Sequence, residues 1–517
     1  MIAIVQFDAV NLPHFHTLLE DNRLPTFKRL QARGQWCPLE TDAVPWEGAT
    51  YYSLYSGKGM TDHGLYFPFM WSAPDQRVRP QTDFPAPDFI WDRIGLAERR
   101  SLVIDPYDTC RFPHSLKGKA VSGWQFKHKV TMPRWSVPRN LQIELQRKYG
   151  RPPLVEEVYG YPSGPDLLSM RQHLLDAPRR CADAAVFLLE REPFDLVWIT
   201  LSSAHLAGHW FLNPERLPQH DFNDAVAGDL NTALSDVYIA VDQAIGRILE
   251  ALPSDAVLMV LSPSGMGQNS SRSHLLPGML EAVLSETPSG ESVEKSRGGN
   301  SLWRIRAAIP RGLRAWVARA LPDRLTLELT ARLDMRGMDW SKTPAFMVPS
   351  GDCGYIRLNL RDRERHGIVG PTQIPALLDR ITSGLMSFRD PDGEPTVKHV
   401  ESATENLHLN SHTHPFPDLI VHWNEHLPSH LAGVQSIDFG TVPSPGWGSG
   451  RTGEHCDGAW VLIVPGSYTR QAFSQTPHIV DIAASVCEFL GVDTQGLSGH
   501  SLLKTTSGKT SSEEESA

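Results

Sequence analysis

Short apolar runs separated by helical segments are the feature of this sequence that most constrains its fold. Each run has the length of a strand and is almost free of charged residues, which is typical of strands buried on both faces of a parallel sheet. The runs cover residues 2–7, 195–201, 256–261 and 459–464. Helical patterns lie between them at residues 24–33, 49–56 and 235–252. Because strands and helices alternate, we predict an α/β fold with a doubly wound, mostly parallel sheet.

The same pattern predicts how the chain is divided. Its 517 residues would fit three or four domains of roughly 150 residues, but the alternation continues along most of the chain. We therefore predict one α/β core over residues 1–503, with insertions at 65–175 and 270–340 and a small subdomain at 354–410. The first insertion is rich in Pro, Trp and polar residues and is expected to form loops over the sheet edge. Residues 504–517 are predicted to be a disordered tail.

Composition and charge exclude several classes of protein. Hydrophobic residues make up 41% and charged residues 21% of the chain, as in ordinary globular proteins, which excludes a fibrous or fully disordered chain. The 59 acidic and 49 basic residues give a net charge of −10, which argues against a nucleic-acid-binding protein, since such proteins usually carry a basic surface.

The sequence also predicts a compartment. It contains no apolar run long enough to cross a bilayer, and its first residues lack the pattern of a signal peptide. The six cysteines are scattered, without a CxxC pair, and are expected to be reduced thiols. We therefore expect a cytoplasmic protein that acts on a small molecule and has no nucleic-acid or membrane partner, while its oligomeric state stays open.

Residues with catalytic or metal-binding chemistry follow the predicted strands. Asp8 ends the first strand, His205 and His209 follow the second, Ser264 follows the third and His455 precedes the fourth. In open α/β sheets, ligands bind at the carboxyl ends of the strands. We therefore expect the functional site at this edge of the sheet.

Several segments, in this order and spacing, resemble the type I phosphodiesterase and nucleotide pyrophosphatase branch of the alkaline phosphatase superfamily. They are Phe7-Asp8-Ala9, residues 52–57 with His63-Gly64, residues 195–211, residues 241–262, His455 and residues 499–502. The resemblance implies a two-metal site, usually zinc, in which a Thr or Ser nucleophile bridges the metals. In that family one metal is held by an Asp, by a His four residues later and by a second His that lies near the C-terminal end of the sequence.

Four matching positions carry other residues in this chain. The family nucleophile lies ten residues before the glycine that matches Gly57, and here that position is Glu47. The first Asp of the metal set becomes His205, while His209 and His455 keep the imidazoles. The other metal would need the first-strand Asp and an Asp-His pair, but the chain keeps Asp8 and has Pro263-Ser264 in place of the pair. We expect this second position to be empty.

The predicted centre is therefore one divalent metal ion per chain, bound by His205, His209 and His455 with Glu47 as a fourth ligand. Three imidazoles with an open position are a known catalytic zinc set, and iron or manganese are the alternatives. Read without the resemblance, Glu47 could be a carboxylate favoured by a helix N-terminus, and Asp8 could cap backbone amides.

Three functions fit these residues. The first is a mononuclear-metal hydrolase of a phosphate, sulfate or related ester or amide, with Glu47 as general base or ligand in place of the nucleophile and Asp8 binding or orienting the substrate. The second is a non-hydrolytic iron or manganese enzyme, including one that uses oxygen. The third is a catalytically inactive relative. The change of a ligand Asp into His205, itself a competent ligand, favours a repurposed site over a decayed one.

Overall fold

The computed structural model describes most of the chain. The described residues are 1–107, 112–126, 134–153, 162–216, 224–285, 338–410, 413–426, 431–445, 450–464, 466, 469–470 and 476–504. The greater part of the predicted insertion at 270–340 and almost all of the predicted tail at 504–517 therefore lie outside the described residues.

An eight-stranded sheet forms the centre of the molecule. With strands numbered along the chain, its spatial order is β2 (Gln35–Pro38), β18 (Trp460–Val464), β9 (Val257–Ser262), β1 (Ile2–Phe7), β8 (Leu196–Leu201), β5 (Arg100–Ile104), β6 (Lys117–Ser122) and β7 (Trp135–Val137). The five strands from β9 to β6 run parallel, β18 and β7 run antiparallel to them, and β2 pairs antiparallel with β18 at one edge. This mostly parallel sheet confirms the predicted fold class.

Smaller sheets surround the large one. They are the pairs β3 (Phe69–Ser72) with β4 (Arg77–Pro80), β10 (Gly265–Gln268) with β17 (Gly453–Cys456), β15 (Gly433–Ser436) with β16 (Gly440–Pro443) and β19 (Thr469–Arg470) with β20 (Leu503–Lys504), and the four-stranded sheet of β11 (Ala345–Val348), β12 (Gly354–Leu358), β14 (Leu419–Trp423) and β13 (Val397–Ser402). The four-stranded sheet is antiparallel and packs with two helices around its own hydrophobic cluster.

The α-helices of the described residues lie between the strands. They are α1 (Leu12–Glu20), α2 (Pro25–Arg33), α3 (Ala49–Ser56), α4 (Met60–His63), α5 (Ile90–Leu96), α6 (Leu141–Tyr149), α7 (Gly164–Leu189), α8 (Ser203–Phe211), α9 (Asp224–Glu250), α10 (Leu276–Leu284), α11 (Ile374–Met386), α12 (Ala403–Asn406) and α13 (Asp481–Phe489). The helices predicted at 24–33, 49–56 and 235–252 correspond to α2, α3 and the second half of α9.

The first strand shows that helices cover both faces of the large sheet. Successive side chains of a strand point to opposite faces. Phe7 packs against Phe15 of α1 and Phe27 of α2, whereas its neighbour Gln6 accepts a hydrogen bond from Tyr55 of α3 at 3.3 Å. The sheet is therefore buried between two helical layers, which explains why its central strands are apolar throughout.

One local prediction was wrong. Residues 65–175 were expected to form loops, yet β5, β6 and β7 of the large sheet lie within them. These strands are short, and β5 and β6 begin with charged residues, as in Lys117-Gly-Lys-Ala-Val-Ser. Their apolar runs of two or three residues are too brief to be distinguished from loops by periodicity, and pairing with β8 supplies the order.

No helix among the described residues combines the length and apolar character that a bilayer crossing requires.

Candidate metal centre

Two of the predicted ligands lie on α8, directly after strand β8. His205 and His209 are four residues apart, so both imidazoles lie on the same face of the helix. Both side chains are buried. The third, His455, lies on β17, where it pairs with Met266 of β10 beyond the end of β9. The structure thus brings the three histidines together at the carboxyl edge of the parallel strands.

The three rings converge closely. Nε2 of His205 lies 3.0 Å from Nε2 of His209. The centroid of the His455 ring lies 4.7 Å from that of His205 and 5.1 Å from that of His209. One nitrogen from each ring can be chosen so that all three lie within 4.8 Å of one another. This spacing suits ligation of a single ion by three imidazoles.

The outer nitrogen of each ring is held by the protein. Nδ1 of His205 lies 3.0 Å from Oδ2 of Asp8, and Nδ1 of His209 lies 2.7 Å from the carbonyl oxygen of Gly453. Both partners are acceptors, so each Nδ1 donates a proton, and in the neutral ring Nε2 then carries the lone pair. Nδ1 of His455 lies 3.1 Å from Oγ of Ser264. Metal-binding histidines are usually oriented by such outer hydrogen bonds.

The short distance between Nε2 of His205 and Nε2 of His209 bears on whether the pocket fits a metal ion. Two unprotonated nitrogens at 3.0 Å repel one another unless a proton or a metal ion lies between them. Burial, followed by the charge of Arg451, lowers the pKa of His209 well below its usual value, and burial followed by the charge of His205 does the same to the pKa of His455. His209 and His455 therefore favour the neutral state, in which imidazole binds metals, and the three converging rings fit a metal ion.

Asp8 lies behind this pocket. Its side chain is fully buried and accepts hydrogen bonds from Nε2 of Gln6 at 2.9 Å and from the Tyr51 hydroxyl at 3.0 Å, besides its contact with His205. Both carboxylate oxygens thus have partners within the protein. The position suits a residue that fixes the tautomer and orientation of His205.

Glu47 belongs to a different cluster. It lies in the turn before α3, and one oxygen of its carboxylate lies within 4.8 Å of carboxylate oxygens of both Asp352 and Glu454. The backbone of Gly351 packs against it so closely that a Cβ there would lie 2.1 Å from Oε1 of Glu47. The structure therefore groups Glu47 with two carboxylates that the sequence analysis did not single out, and the three histidines form a group of their own.

The two clusters are neighbours. Oε2 of Glu454 lies 3.6 Å from Nδ1 of His209. Nη1 of Arg451 lies 3.8 Å from the same carboxylate oxygen and 3.5 Å from Nε2 of His209. One guanidinium thus contacts both the histidine and the carboxylate clusters and supplies positive charge at their junction.

Asp352 is the most unusual member of the carboxylate cluster. Both of its carboxylate oxygens are buried and find no hydrogen-bond donor among the described residues, unless the neighbouring carboxyl of Glu454 carries a proton. Burial, and then the charges of Glu454 and Glu47, raise the pKa of Asp352 well above its usual range. Its ionised form is therefore unfavourable unless a positive charge lies nearby, and its protonated form is favoured.

Sequence reasoning missed Asp352, Glu454, Arg451 and Tyr51 for different reasons. Glu454 and Arg451 lie beside His455, so the late histidine could have drawn attention to them. Asp352 precedes β12 of the small sheet, and nothing in the sequence indicates that this loop reaches the carboxyl edge of the large one. Tyr51 lies on a helix without an apolar stripe.

The comparisons with known proteins agree with the fold. The chain resembles the structure of the alkaline phosphatase PafA with a TM-score of 0.53 and 13% identity over 97% of this chain and 98% of that one. Phosphonoacetate hydrolase from Sinorhizobium meliloti 1021 gives a TM-score of 0.49 and 12% identity over 95% of both chains. Murine ectonucleotide pyrophosphatase/phosphodiesterase 5 gives a TM-score of 0.49 and 11% identity over 97% of this chain and 100% of that one.

At 13% identity the likeness to PafA shows the fold alone. A comparison with curated protein sequences found no match. The sequence profile of type I phosphodiesterases and nucleotide pyrophosphatases, however, matches residues 2–427, which is most of the chain. The chain therefore belongs to the type I phosphodiesterase/nucleotide pyrophosphatase family.

Proposed function

We propose that this family member is a hydrolase of a phosphate, sulfate or related ester or amide, with one divalent metal ion bound by His205, His209 and His455. The observation that carries the proposal is the convergence of three imidazoles in a buried pocket, where Nε2 of His205 and Nε2 of His209 face each other at 3.0 Å and one nitrogen of each ring, His455 included, lies within 4.8 Å of the others. Zinc is the first candidate, since three imidazoles with an open position are a known catalytic zinc set, and iron or manganese are the alternatives.

A divalent metal bound there would polarise a substrate oxygen and lower the pKa of a coordinated water. The protein contributes orientation and exclusion of solvent. Asp8 and the Tyr51 hydroxyl, 3.3 Å from Nδ1 of His205, hold that ring in place. Because both oxygens of Asp8 already have protein partners, we assign it a positioning role and not direct contact with the substrate.

Arg451 supports an anionic substrate. Its Nη1 lies 3.5 Å from Nε2 of His209, so an ester oxygen near the imidazole nitrogens would be within reach of the guanidinium. Arginine suits phosphate and sulfate oxygens because its planar donors match their geometry. The positive charge at the pocket therefore favours an ester of phosphate or sulfate over a neutral ester.

Glu47 lies at the position of the family nucleophile, but we do not propose that it acts as a nucleophile. A carboxylate can act as a nucleophile in other enzymes, but this one lies among Asp352 and Glu454. Its carboxylate groups with theirs and not with the three imidazoles, so we do not assign it as the fourth ligand of an ion centred on the histidines. A role in which Glu47 orients water beside the histidines fits its surroundings better.

Metal content tests the first part of the proposal. Wild-type protein purified anaerobically without added metal should hold about one transition-metal ion per chain, and His209→Ala and His455→Ala should each hold less than about a tenth of that, since each removes one of three ligands. His500→Ala, which changes an exposed histidine, should match wild type. Wild-type protein without stoichiometric metal would contradict the proposal.

Activity tests the second part. Metal-loaded protein should hydrolyse bis(4-nitrophenyl) phosphate, 4-nitrophenyl phosphate or 4-nitrophenyl sulfate at least about 100-fold faster than His209→Ala, because metal polarisation contributes several kcal/mol to such reactions. Bound zinc without any such activity would indicate an inactive relative. Bound iron without hydrolysis would indicate the non-hydrolytic alternative.

A further inference from the structure

Two histidines and a glutamate converge on one face of the four-stranded sheet. His399 and Glu401 lie two residues apart on its edge strand β13, so their side chains point to the same face. His422 of β14 pairs directly with His399, and the two rings are stacked with their centroids 4.1 Å apart. One nitrogen or oxygen atom from each of the three side chains lies within 4.8 Å of the others. The register of the sheet thus gathers three metal-binding side chains, none of which belongs to the histidine pocket.

Both imidazoles turn the same nitrogen toward the same carboxylate oxygen. Nε2 of His422 lies 3.3 Å and Nε2 of His399 lies 3.9 Å from Oε2 of Glu401. Both distances exceed the usual N–H···O value of about 2.9 Å, and the buried Nε2 of His422 has no partner with hydrogen-bond geometry among the described residues. Two ligands of a tetrahedral zinc ion, each about 2.0 to 2.2 Å from it, are roughly 3.3 to 3.6 Å apart. The spacing is therefore closer to that of ligands around an ion than to that of a hydrogen-bonded pair.

The far side of the His422 ring has a partner in the protein. Its Nδ1 lies 3.6 Å from Sγ of Cys353, which directly precedes β12. A proton on Nδ1 that faces the sulfur leaves the lone pair on Nε2. Because Nδ1 and Nε2 lie on different sides of the ring, the thiol can orient the imidazole but cannot share an ion with Nε2. Ligating histidines commonly have an outer partner of this kind.

The protonation states also suit a metal ion, which needs neutral imidazole and ionised carboxylate. Burial, followed by the charge of His422, lowers the pKa of His399, and the neighbouring His422 lowers the pKa of Glu401. Ligation requires the His399 ring to turn out of the parallel stack. Its side chain is 49% exposed, and rotation about the Cβ–Cγ bond of histidine is soft, so the ring can turn without disturbing the core.

We propose that His399, Glu401 and His422 bind a divalent transition-metal ion, zinc in the first place, at the edge of the four-stranded sheet. Two imidazoles and one carboxylate are a known zinc set that leaves a position open for water, and the same set also binds iron. The ion would link β13 to β14 and so stabilise the edge of the sheet.

This site goes beyond the proposed function, because it shares no residue with the histidine pocket. It has three ligands and opens to solvent at His399, so it should bind zinc more weakly than a fully buried site and lose it during purification. The metal content expected of the purified protein is therefore that of the histidine pocket alone, and the new site is detected by adding metal.

Titration with Co²⁺ of the full-length His209→Ala/His455→Ala variant, in which the histidine pocket is disabled, tests the proposal. This parent should bind about one Co²⁺ per chain with visible d–d absorption, and Zn²⁺ should displace it. Adding His399→Ala, Glu401→Gln or His422→Ala should weaken binding at least about 100-fold, since loss of an outer partner alone costs about 10- to 100-fold. His426→Ala, which changes an exposed histidine just after β14, is the matched control and should bind like the parent.

Circular dichroism and thermal unfolding establish that each variant is folded, and the exposed side chain of His399 can be removed without opening the core. A folded parent that binds no Co²⁺, as a protonated His422 paired with Glu401 would produce, would overturn the site. Unchanged binding by His399→Ala and Glu401→Gln would do the same, and an intense near-ultraviolet thiolate band would replace the ligand set by one that includes Cys353. Since the histidine pocket is disabled in all these proteins, its failure to bind metal in wild type would contradict the proposed function alone.

Discussion

Asp8 and Asp352 are two aspartates with buried carboxylates beside the candidate site, and their surroundings are opposite. Asp8 accepts hydrogen bonds from Gln6 and Tyr51 and contacts Nδ1 of His205. Asp352 has two buried oxygens with no donor among the described residues other than a protonated Glu454, and two carboxylates as neighbours. Burial is therefore similar for both carboxylates, while the number of donors differs.

Asp418, directly before β14 of the four-stranded sheet, is a third buried carboxylate, and a cationic side chain stabilises it. It forms a two-fold hydrogen bond with Arg363, Nη1 to Oδ1 and Nη2 to Oδ2, both at 2.7 Å. Burial raises the pKa of Asp418, but hydrogen bonds from Arg363 and His414 outweigh it and hold the pKa well below its usual range. A buried carboxylate is thus stabilised by a cationic side chain at Asp418 and by neutral donors and an imidazole at Asp8. Apart from a protonated Glu454, Asp352 has neither among the described residues.

The largest effect is expected on protein stability when the cationic partner of Asp418 is removed. Arg363→Met should destabilise the protein by about 3 to 5 kcal/mol, because removing one partner of a buried ion pair leaves the other charge uncompensated. Chemical unfolding in urea at neutral pH measures the loss. A matched exposed control is Arg179→Met, whose pairs with Asp176 and Asp183 are at the surface and should contribute less than about 1 kcal/mol.

The difference between wild type and Arg363→Met should also depend on pH. The pKa of Asp418 is depressed in the folded state, so its stabilising contribution is fully present above the unfolded-state value of about 4 and is lost as the pH falls below it. The difference in unfolding free energy should shrink in acid. A difference that is constant from neutral pH into acid would show that Arg363 acts through packing alone.

Asp8→Asn is expected to have an intermediate effect. It removes the negative charge behind His205 and should weaken metal binding by the histidines about 10- to 100-fold, as is typical of outer partners of ligating histidines. Competition with a metal chelator measures the affinity. If Asp8 contacted substrate instead, KM would rise while metal affinity stayed at the wild-type value, and the comparison with Asp352 would lose its basis.

Tyr51→Phe should have the smallest effect. It removes the hydrogen bond that the neutral Tyr51 hydroxyl donates to the Asp8 carboxylate at 3.0 Å, and such bonds to charged groups contribute about 1.5 to 3 kcal/mol. Metal affinity should fall by less than about 10-fold, in the same direction as in Asp8→Asn. A loss larger than that of Asp8→Asn would mean that the hydroxyl, and not the carboxylate, holds His205.

The strands of the sheet centre could be predicted because each is an uninterrupted apolar run, as in residues 2–7. The convergence of His205 and His209 could be predicted as well, because four residues are about one turn of α8. The strands β5 to β7 could not, since residues 100–104, 117–122 and 135–137 acquire their order from pairing with a neighbour. His455 was found through the resemblance, and periodicity alone would not have joined it to α8.

The sequence by itself determined the mostly parallel α/β core, the family and the three histidines. Apolar runs, helical spacing and motif order can all be read from the linear order of the residues. Only the tertiary structure decided the partners of the carboxylates. It placed Asp8 behind His205 and gathered Glu47, Asp352 and Glu454 from three distant segments. Such convergence depends on how the small sheet packs against the large one, and the energy of a buried charge is set by what surrounds it in space.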